Sequence, residues 1–202
     1  MITIDKIYVS EQTINKSVFI GTLIPISSNE DAQEELNKIR KKYYDATHNC
    51  YAYIYGESGE YARCSDDGEP SQTAGVVILD VLKKNELTNC LAVVTRYFGG
   101  IKLGASGLVR AYSSTTGLVC KTITPLTLRK CALFTITISY NNYNRILKTI
   151  EKYEEKEKIF LENIKITYMI PFEDSEELSK KLIEQTKGQV IIEVSEPYSL
   201  FL

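Results

Sequence analysis

Apolar positions recur along the chain in alternating, helical and continuous rhythms. The first stretch opens with residues 2–9, which predict a strand, and residues 17–26, rich in β-branched side chains, which predict its partner. Ser28-Asn29-Glu30-Asp31 is a helix-capping signal, after which Ala32, Leu36, Ile39 and Tyr43 repeat at helical spacing. Arg40, Lys41 and Lys42 suit the negative end of that helix. Residues 50–55 and 61–65 predict strands around a Gly56-Glu57-Ser58-Gly59 turn. Pro70 predicts the first turn of a helix reaching Lys84, because no N–H is lost there. The apolar run 90–97 predicts a buried strand, residues 108–119 predict a helix, and the stretch ends near residue 124.

Pro125 marks the boundary, and a second stretch follows with its own order. Residues 133–140 predict a strand, and 143–153 a helix with Ile146, Leu147 and Ile150 on one face. Residues 158–161 and 163–170 predict strands, and 175–186 a helix carrying Leu178, Leu182 and Ile183. A Lys187-Gly188-Gln189 turn leads to a last strand at 190–194. The order β-α-β-β-α-β is the ferredoxin-like arrangement. The class is α+β, with domains at 1–128 and 131–202. The charged run 151–158 alternates in sign and reads as a solvated helix end.

A chain of 202 residues, 44% apolar, can bury one or two ordinary cores. The net charge of −2 argues against bulk attraction to nucleic acid or an anionic membrane and leaves a local basic patch open. No apolar run reaches the roughly 18 residues of a membrane-spanning helix, and Met1-Ile2-Thr3-Ile4-Asp5-Lys6 has no signal-peptide character. The expectation is a cytoplasmic protein with no membrane partner. The five cysteines, Cys50, Cys64, Cys90, Cys120 and Cys131, are odd in number and widely spaced, which points to buried thiols rather than a disulfide framework or zinc knuckle.

Candidate chemistry gathers in two segments. Gly99, Gly100 and Gly104 lie between the apolar strand and the helix, among Arg96, Lys102 and Arg110. Backbone N–H groups there, with those cations, can cradle a phosphate or carboxylate; the bland alternative is a tight connection with solvated cations. The spacing has no P-loop Lys-Ser/Thr pair and no full G-x-G-x-x-G. Thirty residues upstream, Asp66, Asp67 and Glu69 form an acidic turn whose carboxylates suit either a helix cap or a magnesium ion; three carboxylates exceed what one cap needs, which leaves room for a partner, and the spacing is not that of an EF-hand. The two segments are expected to meet in space. His48, the only histidine, shows no partner in the sequence and reads with Arg63 as support for the site. No nucleophile with an oriented base is evident, so no catalytic residue, cofactor or metal is expected, and an anionic ligand is.

Residues 45–53 (Asp-Ala-Thr-His-Asn-Cys-Tyr-Ala-Tyr), 65–71 (Ser-Asp-Asp-Gly-Glu-Pro-Ser) and 93–104 (Val-Val-Thr-Arg-Tyr-Phe-Gly-Gly-Ile-Lys-Leu-Gly) together resemble the YigZ/IMPACT family. Gln72 and Ser106 stand where that family usually has glycine, and Tyr43 where histidine is common. The resemblance implies a first domain like ribosomal protein S5 domain 2 and, in the bacterial YigZ branch, a smaller ferredoxin-like domain after it. That pairing is similar to the fourth and fifth domains of elongation factor G. The eukaryotic member is a translation regulator that competes for the activator of a starvation-responsive initiation-factor kinase.

The resulting expectation is a non-enzymatic regulatory or binding protein connected with translation, touching a protein or a ribosome or RNA component. The alternatives are a binder of, or enzyme on, a phosphorylated small molecule, and a direct RNA-binding protein. Against the last, the second stretch lacks the aromatic motif of an RNA-recognition sheet.

Overall fold

The computed structural model describes residues 1–201. It is mixed α+β, with two sheets and five α-helices among the described residues, and it divides into compact units at Met1–Leu128 and Arg129–Leu200.

In the first unit β1 (Ile2–Thr3) is followed by the hairpin β2 (Tyr8–Ile14) and β3 (Ser17–Pro25). The expected first strand is therefore broken, and the segment that pairs with β3 runs on through polar residues to Ile14. Those polar residues are accommodated because β2 is a sheet edge with one wet face. Asn15 and Lys16, both at positive φ (46° and 65°), make the two-residue turn.

Helix α1 (Asn29–Lys42) starts where expected, with the Ser28 hydroxyl accepting from the Asp31 N–H and Ala32, Leu36 and Ile39 buried. Strands β4 (His48–Tyr55) and β5 (Tyr61–Ser65), helix α2 (Gly75–Lys84), strand β6 (Cys90–Tyr97) and helix α3 (Gly104–Cys120) complete the unit.

Helix α2 begins at Gly75, five residues later than Pro70 suggests. The Asp66 carboxylate explains the delay. It accepts the N–H groups of Gln72 (2.9 Å), Ala74 (3.0 Å) and Gly75 (2.8 Å), so the helix is capped from eight or nine residues upstream. Pro70 instead sits in the turn before it, its carbonyl accepting the Thr73 hydroxyl at 2.6 Å.

The sheet runs β2-β3-β6-β4-β5, antiparallel throughout. Side-chain alternation sends Leu91 and Val93 of β6 toward α1, and Ala92 and Val94 into the core with α2 and α3. A central strand covered on both faces accounts for the continuous apolar run of β6.

The second unit contains most of β7 (Leu126–Ile138), then α4 (Tyr140–Ile150), β8 (Glu154–Phe160), β9 (Ile164–Pro171), α5 (Ser175–Gln185), β10 (Val190–Val194) and β11 (Tyr198–Phe201). Its antiparallel order is β10-β7-β9-β8, with β11 also pairing β7. Phe134, Ile136, Ile146, Ile166 and Leu182 are central to its core.

The charged run 151–158 is not a helix end. Helix α4 stops at Ile150, and from Glu154 the run is extended as β8. That strand is the sheet edge and nearly all exposed, where charge blocks pairing with another chain.

Candidate anion-binding cleft

The acidic turn is held by its own backbone and by its neighbours. While Asp66 caps α2, the Asp67 carboxylate accepts the Asn49 N–H (2.7 Å) and the Arg40 guanidinium (3.2 Å). Asp67 is at φ 44° and Gly68 at φ 89°, so the chain turns sharply and presents the Asp67 carbonyl to His48 Nδ1 at 2.8 Å. A carbonyl only accepts, so Nδ1 carries the proton. In the neutral ring Nε2 is then a bare lone pair, and it lies 3.9 Å from Glu69 Oε2.

Glu69 and Arg96 are both deeply buried, their side chains 3% and 6% exposed, and they meet at 2.6 Å. Each charge would be costly alone in that setting, so the pair must stay together. The same Glu69 oxygen accepts the Tyr112 hydroxyl at 2.8 Å. The rings of Phe19 and Phe98 each lie 5.4 Å from the guanidinium, a cation–π distance. Burial, then the neighbouring Cys50 and Glu69, pushes the Tyr112 phenol far up, so it serves as a neutral donor. Burial pushes the Cys50 thiol up to about 12, and it donates to the Asp66 carbonyl at 2.9 Å.

Beside this network opens a cleft of about 440 Å³. Thr47, His48, Glu69, Arg96 and Lys102 supply its polar side chains, and Pro70, Phe98, Leu103 and Leu108 much of its apolar lining. Gly104 and Ala105, the first residues of α3, also line it. Among the described residues no side chain caps α3, so the N–H groups of its first turn carry their partial positive charge without a described side-chain partner. Gly104 is at φ 71°, in the left-handed region where glycine is favoured, and this sets the entry into α3. Gly99 packs so closely on the backbone of Lys16 and Ser17 that a Cβ would collide with it. Its N–H donates to Ser17 Oγ at 3.1 Å, which fixes the start of the loop.

The acidic turn and the cationic segment thus meet through Glu69 and Arg96. His48, Glu69, Arg96, Lys102 and Gly104 share the cleft, and Asp66 and Asp67 support it from the turn. Gly99 and Gly100 shape the loop but do not line the cleft, and Arg110 is exposed on α3 outside the lining. Arg63 belongs to the other sheet face. It lies on β5, paired with Tyr53 of β4, and lines a groove with Asn29, Tyr55 and Tyr61.

The sequence gives no partner for His48, whereas the fold gives it two, the Asp67 carbonyl and Glu69. Ser17, Thr47, Cys50 and Tyr112 were not singled out as site residues. Thr47 and Cys50 lie in the 45–53 motif, and Tyr112 shares helical phase with Leu108 and Thr115, which are also buried. Among the described residues no cluster of three or more His, Cys, Asp or Glu stands in metal-holding geometry. No described helix is long and apolar enough to cross a membrane.

The Impact N-terminal domain model matches residues 15–120, a span that holds every residue lining the cleft. The chain is 38% identical over 188 residues to the IMPACT family member YvyE of Bacillus subtilis, covering 92% of this chain and 87% of that one. It is 30% identical over 185 residues to the IMPACT family member YigZ of Escherichia coli, covering 89% and 90%. Protein IMPACT of Homo sapiens is 37% identical over 97 residues, 46% of this chain and 30% of that protein. A crystal structure of a hypothetical protein matches with a TM-score of 0.62 at 26% identity, covering 96% of this chain and 97% of that one.

Proposed function

The chain belongs to the IMPACT family, and on that premise we propose that it is a non-enzymatic cytoplasmic binding protein connected with translation or its regulation. Its contacts are with a protein or with a ribosome or RNA component of the translation apparatus, and the cleft beside α3 is its main contact surface. The observation that carries this reading is how the cleft's reactive groups are occupied. Glu69 neutralises Arg96 and holds Tyr112, and Cys50 is kept as a thiol. What faces outward is suited to binding: the uncapped start of α3, the exposed Lys102 and an apolar wall.

The same reading assigns two domains, 1–128 and 131–202. The order β1-β2-β3-α1-β4-β5-α2-β6-α3 around one antiparallel sheet supports an S5 domain 2-like first domain. The antiparallel order β10-β7-β9-β8 with α4 and α5 supports a ferredoxin-like second one.

Affinity capture from cell lysate, with and without nuclease, tests the function. A translation component is expected on the wild type and is expected to be lost on Lys102→Glu. Capture of no translation component, or equal capture by Lys102→Glu, contradicts the reading.

A further inference from the structure

We propose that the cleft beside α3 is a binding site for a small phosphomonoester with an apolar or aromatic body. The inference goes beyond the binding role proposed above and is tested separately from it.

Charge selects an anion. Within the cleft Glu69 offsets Arg96, which leaves Lys102 and the uncapped N-terminus of the 17-residue helix α3 as net positive features. Arg96 adds an independent observation that points to a ligand. It is 5% exposed and lines the cleft, its Nε has no partner among the described residues, and its second amino group reaches only Ser17 Oγ at 3.5 Å.

His48 gives a reason for phosphate to be preferred over sulfate. Its Nδ1–H is committed to the Asp67 carbonyl, so the neutral ring offers a bare lone pair at Nε2. The charged groups around that ring are Glu69 at 3.9 Å, Arg96 directly opposite on β6, Lys102 in the same cleft, and the Asp67 carboxylate, itself bound to Arg40. A phosphomonoester, whose second ionisation falls near pH 6, can hold one proton between its own oxygen and Nε2. Sulfate is fully ionised at neutral pH and cannot donate that proton.

The remaining lining is mainly apolar, through Pro70, Phe98, Leu103 and Leu108, and so receives the organic body. About 440 Å³ suits a small molecule.

His48 is the chain's only histidine, so its ring ¹⁵N resonances report on this site alone. The experiment titrates the full chain at pH 7 and constant ionic strength with phenyl phosphate, inorganic phosphate and sulfate. The expected result is a saturable His48 shift, with phenyl phosphate binding roughly tenfold tighter than inorganic phosphate through the apolar wall. Sulfate is expected to bind more weakly than inorganic phosphate. His48→Asn retains a donor for the Asp67 carbonyl, and its folding is checked by amide dispersion. Followed by the amide shifts of residues 104–106, it is expected to lose the preference for phosphate over sulfate, while Lys102→Ala weakens both anions.

No saturable shift with phenyl phosphate, equal binding of phosphate and sulfate by the wild type, or an unchanged preference in His48→Asn overturns the proposal. If phenyl phosphate fails while Lys102→Glu still loses the captured partner, the ligand class is wrong and the binding role stands. If phenyl phosphate binds and capture fails, the reverse holds.

Discussion

Arg96 is one of the few buried charges of the first unit, and its stability depends on Glu69. Removing Glu69 leaves a guanidinium inside the protein with no counter-charge. Glu69→Ala is therefore expected to cost about 3–5 kcal/mol in urea unfolding. A loss under about 1 kcal/mol would mean that water reaches Arg96 readily. Cys50 gives a pH prediction. Its thiol is raised on folding, so its contribution to stability is fully present below the ordinary value of 9.0 and is lost as pH rises toward about 12. Urea stability is expected to fall through that alkaline window, with a shallower fall for Cys50→Ala. Equal slopes for the two proteins would exclude this source. Gln72 also speaks at this scale. Its φ of 62° is a left-handed geometry that glycine adopts without penalty and glutamine does not. Ser106 is different, since it lies within α3, where glycine has no such advantage.

At the scale of elements, α2 depends on a residue outside itself. Asp66→Ala removes the acceptor for three amides and is expected to cost about 1–2 kcal/mol, with faster hydrogen exchange over residues 72–76. Unchanged exchange there would mean that the cap is dispensable. Locally encoded features were legible in the sequence. Ser28 and the Ala32–Leu36–Ile39 spacing mark α1, and the continuous apolar run marks β6. Features that depend on distant residues were not. The start of α2 is set by Asp66 across a turn, and β8 is a strand because β9 pairs with it, despite its charge pattern. The meeting of the acidic and glycine segments was legible. The link through Tyr112 and Ser17 was not, since it joins residues 43 and 79 positions apart from their partners.

For the whole molecule, each compact unit buries its own apolar side chains, the first around Phe19 and Leu82 and around Leu36 and Leu91, the second around Phe134 and Leu182. Fragments 1–128 and 131–202 are each expected to unfold cooperatively in urea. Failure of both would contradict independent domains. The cleft lies wholly within the first fragment, so that fragment is expected to retain partner capture. The most direct measurement is amide hydrogen exchange of the full chain, free and bound to the captured translation component. Slowed exchange at residues 66–70 and 96–108 is the expected result. Protection confined to residues 131–202, with the cleft unchanged, would contradict the assignment of the cleft as the contact surface.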